Sequence, residues 1–352
     1  MSREIATQQT SGPFGGYGRE GAREPRNGGR ERRVPLFAVL LFLVLLVLFA
    51  TFIIPNLNFN PIINFFRSLG YSPTSEISAI QTSLDLTSDA NQLFLATRPS
   101  LDDNENFNYH CNSHDEKISI LGCYTGGQMY IYDVNETSLT GIKEATTAHE
   151  LLHAAWEQLK PAEQDALKPS LEKIYSESAD LQEDLKIYSE SERLDELHSR
   201  IGTQIADLPD DLEAHYAKYF KNQDAVVAFY TAYITPFNAL SENIEKLSSD
   251  LSNLDAKIAE ETTAYTEKLN ALNQKVTAFN NCANTAGCFT QSEFTRKRAE
   301  LIKEQQSLAA EYDQIDADVK TYNAKVDEYN QNVLRSNNLE NEINSNSKPP
   351  TI

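Results

Sequence analysis

The most sharply bounded feature in the hydropathy pattern is residues 34–54, VPLFAVLLFLVLLVLFATFII, 21 positions without a charge. At about 1.5 Å per residue, a helix of this length roughly matches a bilayer core of about 30 Å. The pattern predicts one transmembrane helix. A cleaved signal peptide would need an Ala-x-Ala site, and Ala50 leads instead into Thr51 and Phe52. Residues 1–33 are rich in Gly, Arg, Glu and Gln with few aliphatic side chains, which predicts a disordered tail. Residues 55–73 read as a juxtamembrane linker. Its Ile62, Ile63, Phe65, Phe66 and Leu69 either lie in a lipid interface or dock on the folded domain; the pattern serves both.

Residues 74–235 mix the two periodicities. A helix is predicted from Thr74-Ser75-Glu76 towards Leu86. Two strand-like runs follow, 118–124 (ISILGCY) and 129–134 (MYIYDV), joined by the hairpin-type connection Thr125-Gly126-Gly127-Gln128. After Gly141 the pattern is helical, with Pro161, Pro169 and Pro209 as expected boundaries. Strands first and helices after suit an α+β domain.

Residues 236–336 repeat apolar side chains at spacings of three and four on two arms, Leu240 to Phe279 and Phe294 to Val333. The arms match if the chain folds back near residue 286, which sets Phe279 opposite Phe294, Ile258 opposite Ile315 and Leu240 opposite Val333. This predicts an antiparallel coiled-coil hairpin, with Glu261, Lys268 and Lys275 as charged interruptions of its seam. Residues 337–352 are rich in Asn and Ser and are expected to be disordered.

Charge refines this picture. The net charge is −20, which excludes nucleic acid as a partner for the chain as a whole. Seven Arg against four Glu give residues 1–33 a charge of +3. By the positive-inside rule the N-terminus is expected in the cytoplasm and the folded part outside the cell membrane, as a single-pass protein. Four cysteines in two local pairs, Cys111 with Cys123 and Cys282 with Cys288, are candidate disulfides in such an oxidising compartment.

The candidate chemistry lies in Thr147-Ala148-His149-Glu150-Leu151-Leu152-His153, of the form H-E-x-x-H. On a helix, positions four apart share a face, so both imidazoles reach one metal. Glu150 is placed to take a proton from a metal-bound water, whose pKa a zinc ion lowers to about 7. The flanks Ala145, Ala148, Leu152, Ala155 and Leu159 form an apolar stripe, so the motif sits on an amphipathic helix.

Over residues 105–220 the sequence resembles the zincin metallopeptidases, in a membrane-anchored bacterial form. In that family an edge strand ahead of the active-site helix binds the substrate backbone, and MYIYDV stands in that place. The resemblance implies a zincin-like fold, Zn2+ as cofactor, His149 and His153 as ligands and Glu150 as general base. The elongated metzincin motif is absent, since Ala154, Ala155, Trp156, Glu157, Gln158 and Leu159 follow the second His. The gluzincin pattern takes its third ligand from a Glu on a later helix, and Glu196 in RLDELHSRIG is the best match; His198 on the same segment would give an all-histidine site. His215, Tyr216 and Tyr219 are candidates for oxyanion stabilisation, against a reading in which they pack in the core.

The expectation is therefore a membrane-anchored, extracytoplasmic zinc metallopeptidase acting on a protein or peptide. Its zincin-like catalytic domain would be followed by the hairpin, through which a protein partner or a second copy could bind. The rival is a non-enzymatic cell-surface adaptor in which the hairpin binds a partner and the metal is structural.

Overall fold

The computed structural model describes residues 36–48, 58–111 and 121–345. The expected disorder of residues 1–33, and of the tail beyond 345, falls outside these. The chain divides into two units, one up to Asn58 and one from Phe59 on. In the first, helix α1 covers Leu36–Leu48, and its Phe37, Leu40, Phe42 and Leu45 are exposed. Its 13 residues extend about 20 Å, short of a bilayer core of about 30 Å. Residues 34, 35 and 49–54 of the apolar run lie outside the described residues. Among the described residues, no helix is long and apolar enough to cross a membrane. This corrects the expected transmembrane helix, and the single-pass topology with a cytoplasmic N-terminus has no such helix to rest on.

The second unit is built from α2 (Asn60–Ser68), α3 (Ser75–Ser83), α4 (Ser88–Ala96), β1 (Ser100–Asp102), α5 (Asn104–Cys111), β2 (Gly122–Thr125) and β3 (Gln128–Tyr132). It continues with α6 (Ile142–Gln158), α7 (Pro161–Glu177), α8 (Ala179–Leu185), α9 (Glu190–Gln204), α10 (Asp210–Tyr216), α11 (Gln223–Ala283) and α12 (Gln291–Ile343). Helix accounts for 77 % of the described residues, and the only sheet among them has three short strands. The expected α+β zincin-like domain behind a transmembrane helix is therefore replaced by a helical fold with a small sheet. Strand-like runs between 118 and 134 were too short to support more, and most positions after Gly141 went to helix.

The sheet order is β1-β3-β2, with β3 parallel to β1 and antiparallel to β2. The strand expected at the edge, MYIYDV, is central; β2 is an edge. Thr74 caps α3 by accepting from the Ile77 N–H, and Thr87 caps α4 in the same way. Pro169 lies inside α7 and Pro236 inside α11, so neither ends a helix. The boundary expected at 235/236 thus falls within one continuous helix.

The core gathers around α6, whose Ala148, Leu151, Leu152, Ala154 and Ala155 are buried with Leu197 and Ile201 of α9, Tyr216 of α10 and Val226 of α11. Two glycines set its geometry. Gly141 takes φ +90° just before α6, and a Cβ there would meet the Phe229 carbonyl oxygen of α11 at 2.7 Å. Gly202 lies where α9 approaches α6, and a Cβ there would come within 2.5 Å of both Leu152 and Tyr216. Gly202 sits inside α9 and serves close packing.

Helices α11 and α12 run back along one another, reversing through residues 284–290. Phe279 and Phe294 meet at 5.2 Å, and Cys282–Cys288 closes the turn. Two of the charged seam positions find cross-arm partners, Lys268 with Glu311 and Lys275 with Glu304, while Glu261 pairs along its own arm with Lys257, which also reaches Asp318 on the other arm. The two exposed pairs, Lys268–Glu311 and Lys275–Glu304, contribute at most about 1 kcal/mol each, so they tune register more than stability. Helix α12 runs to Ile343, past the expected start of the tail, where Leu339 packs with Val134, Leu139, Ile142 and Leu240. Ser345 and Asn108 of α5 exchange hydrogen bonds there.

Gly202→Ala is expected to destabilise the chain by about 1–3 kcal/mol through overpacking of α6 against α9. Urea unfolding checks this; an unchanged midpoint would mean the two helices have room to part.

Candidate metal centre

Helix α6 carries His149 and His153 on one face, and their Nε2 atoms lie 3.0 Å apart. Helix α9 opens with a reciprocal cap between Ser189 and Glu192 and brings Glu196 to the same point. Glu196 Oε1 is 3.7 Å from His149 Nε2, and Oε2 is 3.4 Å from His153 Nε2. One ligand atom from each of these three side chains lies within 4.8 Å of the others, so the group can hold a metal ion. Two imidazoles and a carboxylate form a donor set that several divalent metals accept, zinc among them. The fit is favoured by burial, because Glu196 is only 8 % exposed and a carboxylate so enclosed needs positive charge beside it.

The surroundings orient these donors. His153 donates from Nδ1 to Asp195 Oδ1 at 2.8 Å, which leaves Nε2 facing His149 and Glu196. Asp195 was missed in the sequence, where nothing separates it from a surface aspartate except its place beside Glu196. Arg200 donates from Nε to Glu196 Oε1 at 2.7 Å and from Nη1 to Asp184 Oδ2 at 2.8 Å. Burial opposes charge on Glu196, but the two histidines outweigh it and hold the carboxyl well below its usual range. Burial likewise opposes charge on His153, and the Asp195 and Glu196 carboxylates reverse the balance and raise it well above the ordinary value.

Glu150 is 5 % exposed. A Cβ on Gly122 would lie 2.8 Å from Glu150 Oε1 and 2.7 Å from Thr146 Cγ2, so the β2 backbone passes directly over the Glu150 side chain. Cys123, the next residue of β2, is tied to Cys111 of α5. Both cysteine pairs of the sequence reading are bonded.

The structure does not bring the remaining candidates into this cluster. His198, the alternative third ligand, is fully buried and its Nε2 lies 2.8 Å from His215 Nε2, not on the His149–His153 pair. Tyr216 donates its hydroxyl to the His198 carbonyl oxygen at 2.8 Å, and Tyr219 packs edge-on to His215. His215 and Tyr216, the oxyanion candidates, thus join α10 to α9 in the core.

No family model, curated protein or solved structure matches this chain.

The buried imidazole pair makes the fold acid-sensitive. Burial, then the charge of Lys218, brings His215 down to about 4, and burial, then the charge of His215, holds His198 well below its ordinary value. A depressed histidine contributes stability that is complete above its unfolded value near 6.5 and lost as pH falls through the folded value. His215 should therefore cost the fold about 3 kcal/mol between roughly pH 6.5 and pH 4. The urea midpoint is expected to drop across that window, and less steeply in His215→Gln; identical slopes would contradict the assignment.

Proposed function

We propose that this chain is a zinc-dependent hydrolase of peptide bonds, with a gluzincin-like donor set on a helical scaffold. The observation that carries the reading is the convergence of His149, His153 and Glu196 with Glu150 one residue along the same helix. His149, His153 and Glu196 would hold the ion. Zinc bound there would supply a Lewis acid for the scissile carbonyl and lower the pKa of water to about 7. Glu150 accepts the proton of the attacking water and returns it to the departing amine. Asp195 keeps the His153 ring in the tautomer whose Nε2 is free to ligate. Arg200 holds one oxygen of Glu196 in place by a hydrogen bond.

The edge strand supports a peptide as the substrate class. Among the described residues β2 pairs with β3 alone, so its other edge can add an extended chain by main-chain hydrogen bonds. Gly122, with no side chain, lets the face of this edge strand lie directly on Glu150, so a chain added to β2 would run near the base. Both disulfides suit an oxidising compartment.

Two substitutions separate this reading from a structural metal module. Glu150→Gln should keep one zinc per chain and abolish hydrolysis of a quenched-fluorescent peptide library. Glu196→Gln should weaken zinc binding by about tenfold or more, since the loss of even a supporting contact costs that much. Full hydrolysis by Glu150→Gln would contradict the catalytic role, and unchanged affinity in Glu196→Gln would contradict the donor set.

A further inference from the structure

Helix α2 is amphipathic in the inverse sense. Its polar stripe, Asn60, Asn64 and Ser68, recurs every fourth residue and faces the protein. Asn60 donates to the Gln158 carbonyl oxygen at 3.0 Å, and the amides of Asn64 and Gln158 bond each other in both directions at 3.1 and 2.9 Å. Ser68 accepts from Gln92 at 2.8 Å. Asn64 is 4 % exposed. The opposite face carries Phe59, Ile62, Ile63, Phe65, Phe66 and Leu69, which are 44 to 64 % exposed. A folded domain that spends its amide groups on docking a helix, and turns its aromatic and aliphatic side chains outward, has left that face for something apolar.

We infer that this face of α2 lies on a lipid surface. Three observations select lipid over a protein partner. The face is the outward side of one nine-residue helix, which suits a fluid apolar layer. It also continues a run from Val34 to Phe66 in which no charged side chain occurs. At its C-terminal end stand two cations, Arg67 and Arg98, the latter donating to the carbonyl oxygens of Arg67 and Leu69. In a chain of net charge −20, two positive charges beside an apolar face favour an anionic lipid surface, with Arg98 capping α2 and Arg67 lying against Tyr124 and Gly127. A second copy would bring a further −20 against the first. The inference needs no helix that crosses a bilayer, and it is independent of the hydrolase reading. Through Gln158, the last residue of α6, the seated helix would hold the metal-binding helix at a set orientation to the surface.

The test reads depth rather than binding, because residues 34–54 alone could carry the chain to vesicles. In the full chain, Phe66→Cys labelled with an environment-sensitive fluorophore is compared with Tyr312→Cys on α12, which is also exposed. Ile63→Cys serves as a second site on the same face. With vesicles of phosphatidylcholine and about one third phosphatidylglycerol, a lipid-borne quencher should dim the probes at 66 and 63 at least about twofold more than the probe at 312. Equal quenching at all three sites would overturn the inference. Shielding of the probe at 66 without vesicles, rising with protein concentration, would overturn it in favour of a second copy.

Discussion

The Glu196 carboxylate is buried, and most of the arrangement around α6 and α9 answers that fact. Removing an ionised carboxylate from water without partners costs several kcal/mol. Here Arg200 bonds one oxygen, and His149 and His153 stand within 4 Å of the two. Arg200 is itself held by Asp184, and His153 by Asp195. Positive charge must therefore collect where α6 meets α9, and a divalent ion satisfies that demand more compactly than protonated histidines. The close approach depends in turn on Gly202, which lets Leu152 and Tyr216 fill the space a side chain would take. Tyr216 then reaches the His198 carbonyl oxygen and fixes α10 across the same helix.

Some of this was legible in the sequence because the signals are local. His149, Glu150 and His153 lie within one and a half turns of a helix with a clear apolar stripe, so period and chemistry agree. The two disulfides join cysteines 12 and 6 residues apart. Glu196 is 43 residues beyond His153, and the choice between it and His198 turned on which side of α9 meets α6. That choice is made by Gly202 packing and by His215, which takes the His198 ring into the core. A heptad count cannot register either. Asp195 was invisible for the same reason: its role depends on the direction of one ring nitrogen.

Hydropathy misled where it was strongest. The uncharged run at 34–54 implied a spanning helix, yet the helix described within it has 13 residues. In α2 the same logic would place Phe65 and Phe66 inward, whereas Asn60 and Asn64 hold that side through Gln158. Alternation in MYIYDV marked a strand but could not say that β1, three residues long, would cover its outer edge. Charged interruptions in the hairpin seam, by contrast, made sense once each lysine met an acid on the other arm.

The most direct test of the candidate metal centre is zinc-edge X-ray absorption on the full chain loaded with one equivalent of zinc. Two imidazoles and a carboxylate should give nitrogen and oxygen neighbours at about 2.0–2.2 Å, with imidazole outer-shell scattering and no sulfur. Sulfur at about 2.3 Å, or an oxygen-only shell without imidazole scattering, would contradict the account.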